Sequence, residues 1–153
     1  MRHIRPWIES GGHFISQYHR PIDNWDKTQS APLRLQPGSP SIRWRVTDAA
    51  APVRMLQPDH PLLNSPNRIT NEDFDGWVKE RGLYFASEWD PAYVPLLAMS
   101  DTDEAPLQGS LLAARIGAGS HVHCALNLFY QMDHMVVGAF RLFANLMTPS
   151  GRT

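Results

Sequence analysis

Cysteine is nearly missing: Cys124 is the only one in 153 residues. An intramolecular disulfide therefore cannot form, and zinc modules built on several cysteines are excluded. An excess of one charge is missing too, since 14 Lys and Arg face 15 Asp and Glu for a net charge of -1. Nothing global favours nucleic acid or an anionic membrane, and neither is expected as a partner. Long apolar runs are also lacking. The longest stretch without Asp, Glu, Lys or Arg, residues 116–132, is interrupted by His121, His123, Asn127 and Gln131, which makes it a core segment and not a membrane span. Near the start, charge is followed by Pro6 and Glu9 with no apolar run behind them. No secretory signal is expected, and a cytoplasmic location is the expectation for this chain.

What is present is ordinary globular material, 42% hydrophobic and 19% charged, at a length that suits one domain, 1–153, better than two. Eight of the 13 prolines lie between Pro21 and Pro66. Proline removes a backbone donor and restricts its predecessor, so 20–67 reads as a Pro-rich region of irregular connections with short extended pieces at 41–46 and 53–56. From residue 105 onward only Arg115, Asp133, Arg141 and Arg152 are charged, which marks the densest core. There, two β-compatible runs, 110–116 and 121–128, flank Gly117-Ala118-Gly119-Ser120 and predict a hairpin. Val136, Val137, Phe140, Phe143, Ala144 and Met147 then recur at helical spacing. Upstream, a short helix over 4–10 should end at Gly11-Gly12 and lead into a strand over 13–18. Thr70-Asn71-Glu72-Asp73 resembles an N-terminal cap and predicts a helix of about two turns over 71–80. A further strand is expected over 93–99.

Several segments resemble a known family. Gly11-Gly12-His13-Phe14-Ile15-Ser16-Gln17-Tyr18, Val46-Thr47-Asp48 and Asp59-His60-Pro61-Leu62-Leu63-Asn64 are similar to the glutamine-amidotransferase-like domain attached to PIG-L-type sugar de-N-acetylases. So are Pro66-Asn67-Arg68-Ile69-Thr70, Glu80-Arg81-Gly82-Leu83-Tyr84-Phe85, Trp89-Asp90 and the ending from Gly138 to Leu146. The resemblance implies an α/β class, here a partial flavodoxin-like sheet of the class I amidotransferase type with a C-terminal β-hairpin and helix. It also implies that the strands forming the first half of such a sheet are lacking. The chain is then either a fragment with a deacetylase upstream or a truncated form that pairs with another copy, and a homo-oligomer is expected if it is expressed alone.

In active amidotransferases a Gly-Gly-led strand ends in a nucleophilic cysteine, and a later strand supplies a histidine and a glutamate two residues apart. Here the resemblance puts Gln17-Tyr18-His19 at the end of the first strand and Phe129 and Gln131 at the places of the base and its orienting group. Amide hydrolysis by that route needs all three roles, so glutaminase chemistry is not expected. The reading is a non-catalytic accessory, assembly or carbohydrate-recognition module associated with sugar de-N-acetylases, with no cofactor. The alternative is a hydrolase acting on a sugar or amide through His13, His19, His121, His123 and Asp residues or a metal.

Trp25, Trp44, Arg68 and Trp89 are candidate ligand-binding residues, because flat aromatic faces beside polar side chains suit sugars. Trp77, sharing a face with Phe74, reads as core. His121 and His123 share one face of a strand and are the candidate metal ligands, set against a reading as partly exposed strand residues. His60, ahead of Pro61, is treated as structural. Arg68, Glu80 and Arg81 can be accounted for by ordinary ion pairs.

Overall fold

The apolar runs on either side of Gly117-Ala118 form the centre of the computed structural model, which describes residues 1–17, 20 and 31–149. In chain order the elements are α1 (Ile4–Glu9), β1 (His13–Gln17), β2 (Leu35–Pro37), β3 (Arg54–Met55), β4 (Ala86–Trp89), β5 (Val94–Pro95), β6 (Leu97–Ala98), β7 (Leu111–Ile116), β8 (Gly119–Cys124), α2 (Leu128–Asp133) and α3 (Val137–Met147). Short 3-10 turns lie at Ser41–Arg43, Pro61–Leu63 and Asn71–Phe74. The architecture is mixed α/β. A four-stranded sheet runs β1-β8-β7-β5, and two small ribbons pair β2 with β4 and β3 with β6.

β7 and β8 form the expected hairpin, antiparallel from Leu111↔Cys124 to Ile116↔Gly119. α1 closes over its turn, where the Glu9 carbonyl accepts from Ala118 N–H at 2.9 Å. A Cβ at Gly119 would lie 2.0 Å from the carbonyl oxygen of Ile8, so this crossing tolerates only glycine. β1 then runs parallel to β8, in register from His13↔Ser120 to Gln17↔Cys124.

Alternation along β7 and β8 splits the apolar residues between two cores. Leu111, Ala113, Val122 and Cys124 face the larger one, which also holds Leu142 and Leu146 of α3. Leu112, Ala114 and Ile116 face the smaller one with Ile8, Leu35 and Tyr93. α3 forms where the spacing predicts a helix, but on the opposite face: it buries Gly138, Ala139, Leu142, Asn145 and Leu146, while Val137, Phe140 and Met147 of the predicted stripe are exposed.

Several local expectations differ from the structure. No helix spans 71–80. Thr70 and Asp73 do form a capping box around the Asn71–Phe74 turn, but Gly76 at φ 71° and Lys79 at φ 69° turn the backbone left-handed and stop propagation. The run 93–99 is not one strand: Pro95 cannot extend the ladder, and the chain passes from β7 at Val94–Pro95 to β3 at Leu97–Ala98. Finally, β8 stops at Cys124 and the residues from Leu128 are helical, so Phe129 and Gln131 lie on α2 and not on a strand.

The Pro-rich region is tied down by polar side chains more than by pairing. Asn145, fully buried, donates from Nδ2 to the carbonyls of Leu62 (3.0 Å) and Asn67 (2.7 Å) and accepts from Asn67 N–H (2.8 Å). Arg141 reaches Asp73 Oδ1 at 2.7 Å and the Arg68 carbonyl at 2.9 Å. The 41–46 segment is a 3-10 turn followed by a bridge from Val46 to Gly82, not an extended piece, whereas Arg54–Met55 is a strand.

Candidate functional site

The faces of β8 differ in chemistry as well as in packing. His121 and His123 point to the side of the smaller core, and both are fully buried, not partly exposed. Parallel register sets Phe14 beside His121 and Ser16 beside His123, so the Ser16 side chain leaves the sheet on this same face. Its hydroxyl lies 2.8 Å from His121 Nε2 and 3.1 Å from His123 Nδ1. On the other side of His121, the Tyr93 hydroxyl is 2.6 Å from Nδ1. The Phe14 ring stacks on the His121 imidazole at 5.2 Å and the Tyr93 ring meets it edge-on at 5.5 Å.

The donor order follows from the partners. Burial pushes the Tyr93 phenol well above its ordinary range, so it stays protonated, and the Leu33 backbone N–H donates to its oxygen. The phenol proton is then given to His121 Nδ1. A neutral His121 accepting there carries its hydrogen on Nε2 and donates to Ser16 Oγ, which leaves the Ser16 proton directed at His123 Nδ1. Ser16 is half-buried while both imidazoles are enclosed, so of the three residues the serine is the one with solvent exposure. No family model, curated protein or solved structure matches the chain.

His13 does not join this cluster. It lies on the opposite face of the sheet, donating from Nε2 to the Leu146 carbonyl (2.7 Å) and accepting at Nδ1 from Ser120 (2.7 Å). His19 falls outside the described residues. Among the described residues no group of three or more His, Cys, Asp or Glu is placed to hold a metal ion. His60 accepts from Leu62 N–H at 3.2 Å, starting the Pro61–Leu63 turn, and burial lowers its pKa, so it acts as a neutral acceptor.

The positions that the resemblance assigns to amidotransferase roles are occupied structurally. Gln131 is fully buried and clamps the chain opposite: Oε1 accepts from Val78 N–H (2.7 Å) and Nε2 donates to the Val78 carbonyl (2.8 Å). Phe129 is exposed on α2. Cys124 is fully buried in β8, and burial pushes its thiol up to about 12 despite the backbone N–H of Leu126. A thiol held protonated is a poor nucleophile. At pH 8 the folded chain should therefore resist iodoacetamide while the urea-unfolded chain is alkylated at once. Rapid stoichiometric alkylation of the native protein, read by mass spectrometry, would contradict this placement.

The candidate ligand-binding residues do not form one surface. Trp44 packs half-buried against the larger core and Trp89 against the smaller, on opposite faces of the sheet. Arg68 is exposed, with its carbonyl held by Arg141, and Trp25 lies outside the described residues. Trp77 is core, its ring 5.4 Å from Phe74.

Glu80 and Arg81 are not ordinary surface ion pairs. Both are buried; Glu80 accepts from Asn127 at 2.7 Å, and Arg81 donates twice to the Ala51 carbonyl (3.0 and 2.8 Å) and once to that of Phe74. Sequence reasoning paired His121 with His123 by period but missed Ser16 and Tyr93. The missing signal is long-range register, which a parallel pair separated by 107 residues does not write locally.

Proposed function

We propose that the chain is an amidotransferase-like module, of partial flavodoxin-like type, that lacks glutamine-hydrolysing chemistry and works by assembly. The observation that carries this is an exposed apolar stripe on α3 together with the uncharged edge strand β1. Val137, Phe140 and Met147 are 70%, 42% and 55% exposed, and with Ala144 they fall on one helical stripe. Isolated exposed apolar residues are ordinary, but a stripe of them beside a sheet edge is a docking feature. Among the described residues β1 is laddered on one side only. Between them Trp7, Ile15 and Met147 line an open groove of about 740 Å³.

The occupant is a second copy of this chain. β1 reads His13-Phe14-Ile15-Ser16-Gln17, without an ionised carboxylate or ammonium, so two such edges can meet antiparallel about Ile15 with no like-charge penalty. A two-fold interface of this kind is self-complementary and closes. Dispersal of Trp44, Arg68 and Trp89 favours assembly over carbohydrate recognition, and association with a sugar de-N-acetylase rests on the resemblance alone.

Light scattering coupled to size exclusion should give a dimer or larger species at micromolar concentration. Phe140→Asp should convert it to a monomer with unchanged circular dichroism, since Phe140 is a surface position. A wild-type chain that stays monomeric up to near-millimolar concentration would sink the proposal.

A further inference from the structure

In the donor order assigned from Tyr93, the Ser16 hydroxyl, 2.8 Å from His121 Nε2 and 3.1 Å from His123 Nδ1, receives a hydrogen bond from the first and gives its proton to the second, an arrangement that stabilises negative charge on Oγ as the proton leaves. It also occupies a telling place. Ser16↔His123 is the penultimate pair of the two parallel strands, next to their carboxyl ends. In parallel α/β sheets ligands are met beyond the carboxyl ends of strands, and β1 and β8 are the one parallel pair among the described strands of this mixed sheet. An edge pairing of β1 would add bonds in the plane of the sheet, whereas the hydroxyl leaves that plane, so the two uses of β1 are compatible.

We propose that Ser16 is a nucleophile for acyl transfer from activated esters, with His123 as the base and His121 as the donor to the developing alkoxide. In the first step the bond from Oγ to the acyl carbon forms, the bond from that carbon to the leaving oxygen breaks, and the Ser16 proton passes to His123 Nδ1 and on to the leaving oxygen, which departs as the phenol and leaves His123 neutral. In the second, water attacks the acyl-serine and gives one proton back to Oγ through His123, releasing the carboxylic acid. The donor to Oγ is a neutral imidazole, because the protonated Tyr93 phenol occupies its other nitrogen. Neutral donors are about half as strong as charged ones. The substrate class is thus esters with good leaving groups, such as aryl esters, and not amides.

The test uses p-nitrophenyl acetate on the full chain. The expected result is a burst of nitrophenolate close to one equivalent per chain, with the acetyl group mapped to Ser16 by peptide mass spectrometry. Ser16→Ala should abolish the burst with the circular dichroism unchanged, while the melting temperature falls because two buried imidazole nitrogens lose this partner. His123→Gln should slow it by at least about a hundredfold, whereas His121→Gln, whose amide still donates, should stay within about tenfold of wild type. Mapping on the unaltered chain decides the matter even if a histidine variant fails to fold. No burst, or acetylation elsewhere with Ser16 unmodified, overturns the proposal, and neither outcome bears on the dimer that light scattering tests.

Discussion

Arg81→Met should lower the unfolding free energy by about 3–4 kcal/mol, read as a shift of the urea midpoint at unchanged slope. The guanidinium is buried, and its desolvation lowers its pKa against the opposing pull of Asp48 and Asp75. What justifies a buried cation is the set of acceptors around it. The carbonyls of Ala51 and Phe74 are bound by its fork, and the Phe74 and Trp77 rings lie 5.7 and 5.6 Å from its central carbon. Methionine fills much of the volume but leaves both carbonyls without a donor, at about 1–3 kcal/mol each before solvent relaxation. Recovery of the buried-charge penalty offsets part of that, which keeps the expected loss below the simple sum. Arg81→Lys should recover less than half, because an ammonium cannot present a planar fork to two carbonyls. A loss under about 1 kcal/mol for Arg81→Met would mean that the network is incidental.

The second large effect is expected at Asn145. Asn145→Leu keeps the size and raises the helix propensity but strips the partners from the Leu62 and Asn67 carbonyls and the Asn67 amide, for an expected loss of about 2–4 kcal/mol. The location of the damage distinguishes this from a generic core defect. Hydrogen exchange at the Asn67 amide should accelerate well beyond that at Val122, since the first depends on Asn145 and the second on the sheet. Equal acceleration at both would show that the loop is not held through this side chain. Domains have only about 5–15 kcal/mol in hand, so either substitution takes a large share of it.

The parts of the fold legible in the sequence were those set by neighbours along the chain. The β7–β8 hairpin follows from two apolar runs around Gly117, and α3 follows from residues spaced three and four apart. The parts that were not legible depend on distant partners. Residues 71–80 carry a good cap, yet the backbone turns left-handed at Gly76 and Lys79 because Val78 and Glu80 are needed as partners for Gln131. Residues 93–99 look like one strand but serve two sheets. At the candidate site, period two correctly put His121 and His123 on one face, but their complete burial depends on β1 and Tyr93. Ser16 is an unremarkable residue until the register places it between them.

The pairing of β1 with β8 has a cost in time. His13 and Ser120 are 107 residues apart, and closing so long a loop comes late because its entropy must be met before any contact rewards it. At synthesis rates of about 5–20 residues per second, β1 waits several seconds for its only partner among the described strands. During that wait the hydroxyl-imidazole chain does not exist, and a sticky, uncharged strand stands exposed. The last step of folding is thus expected to complete the Ser16 cluster, which exists only once β1 and β8 have met.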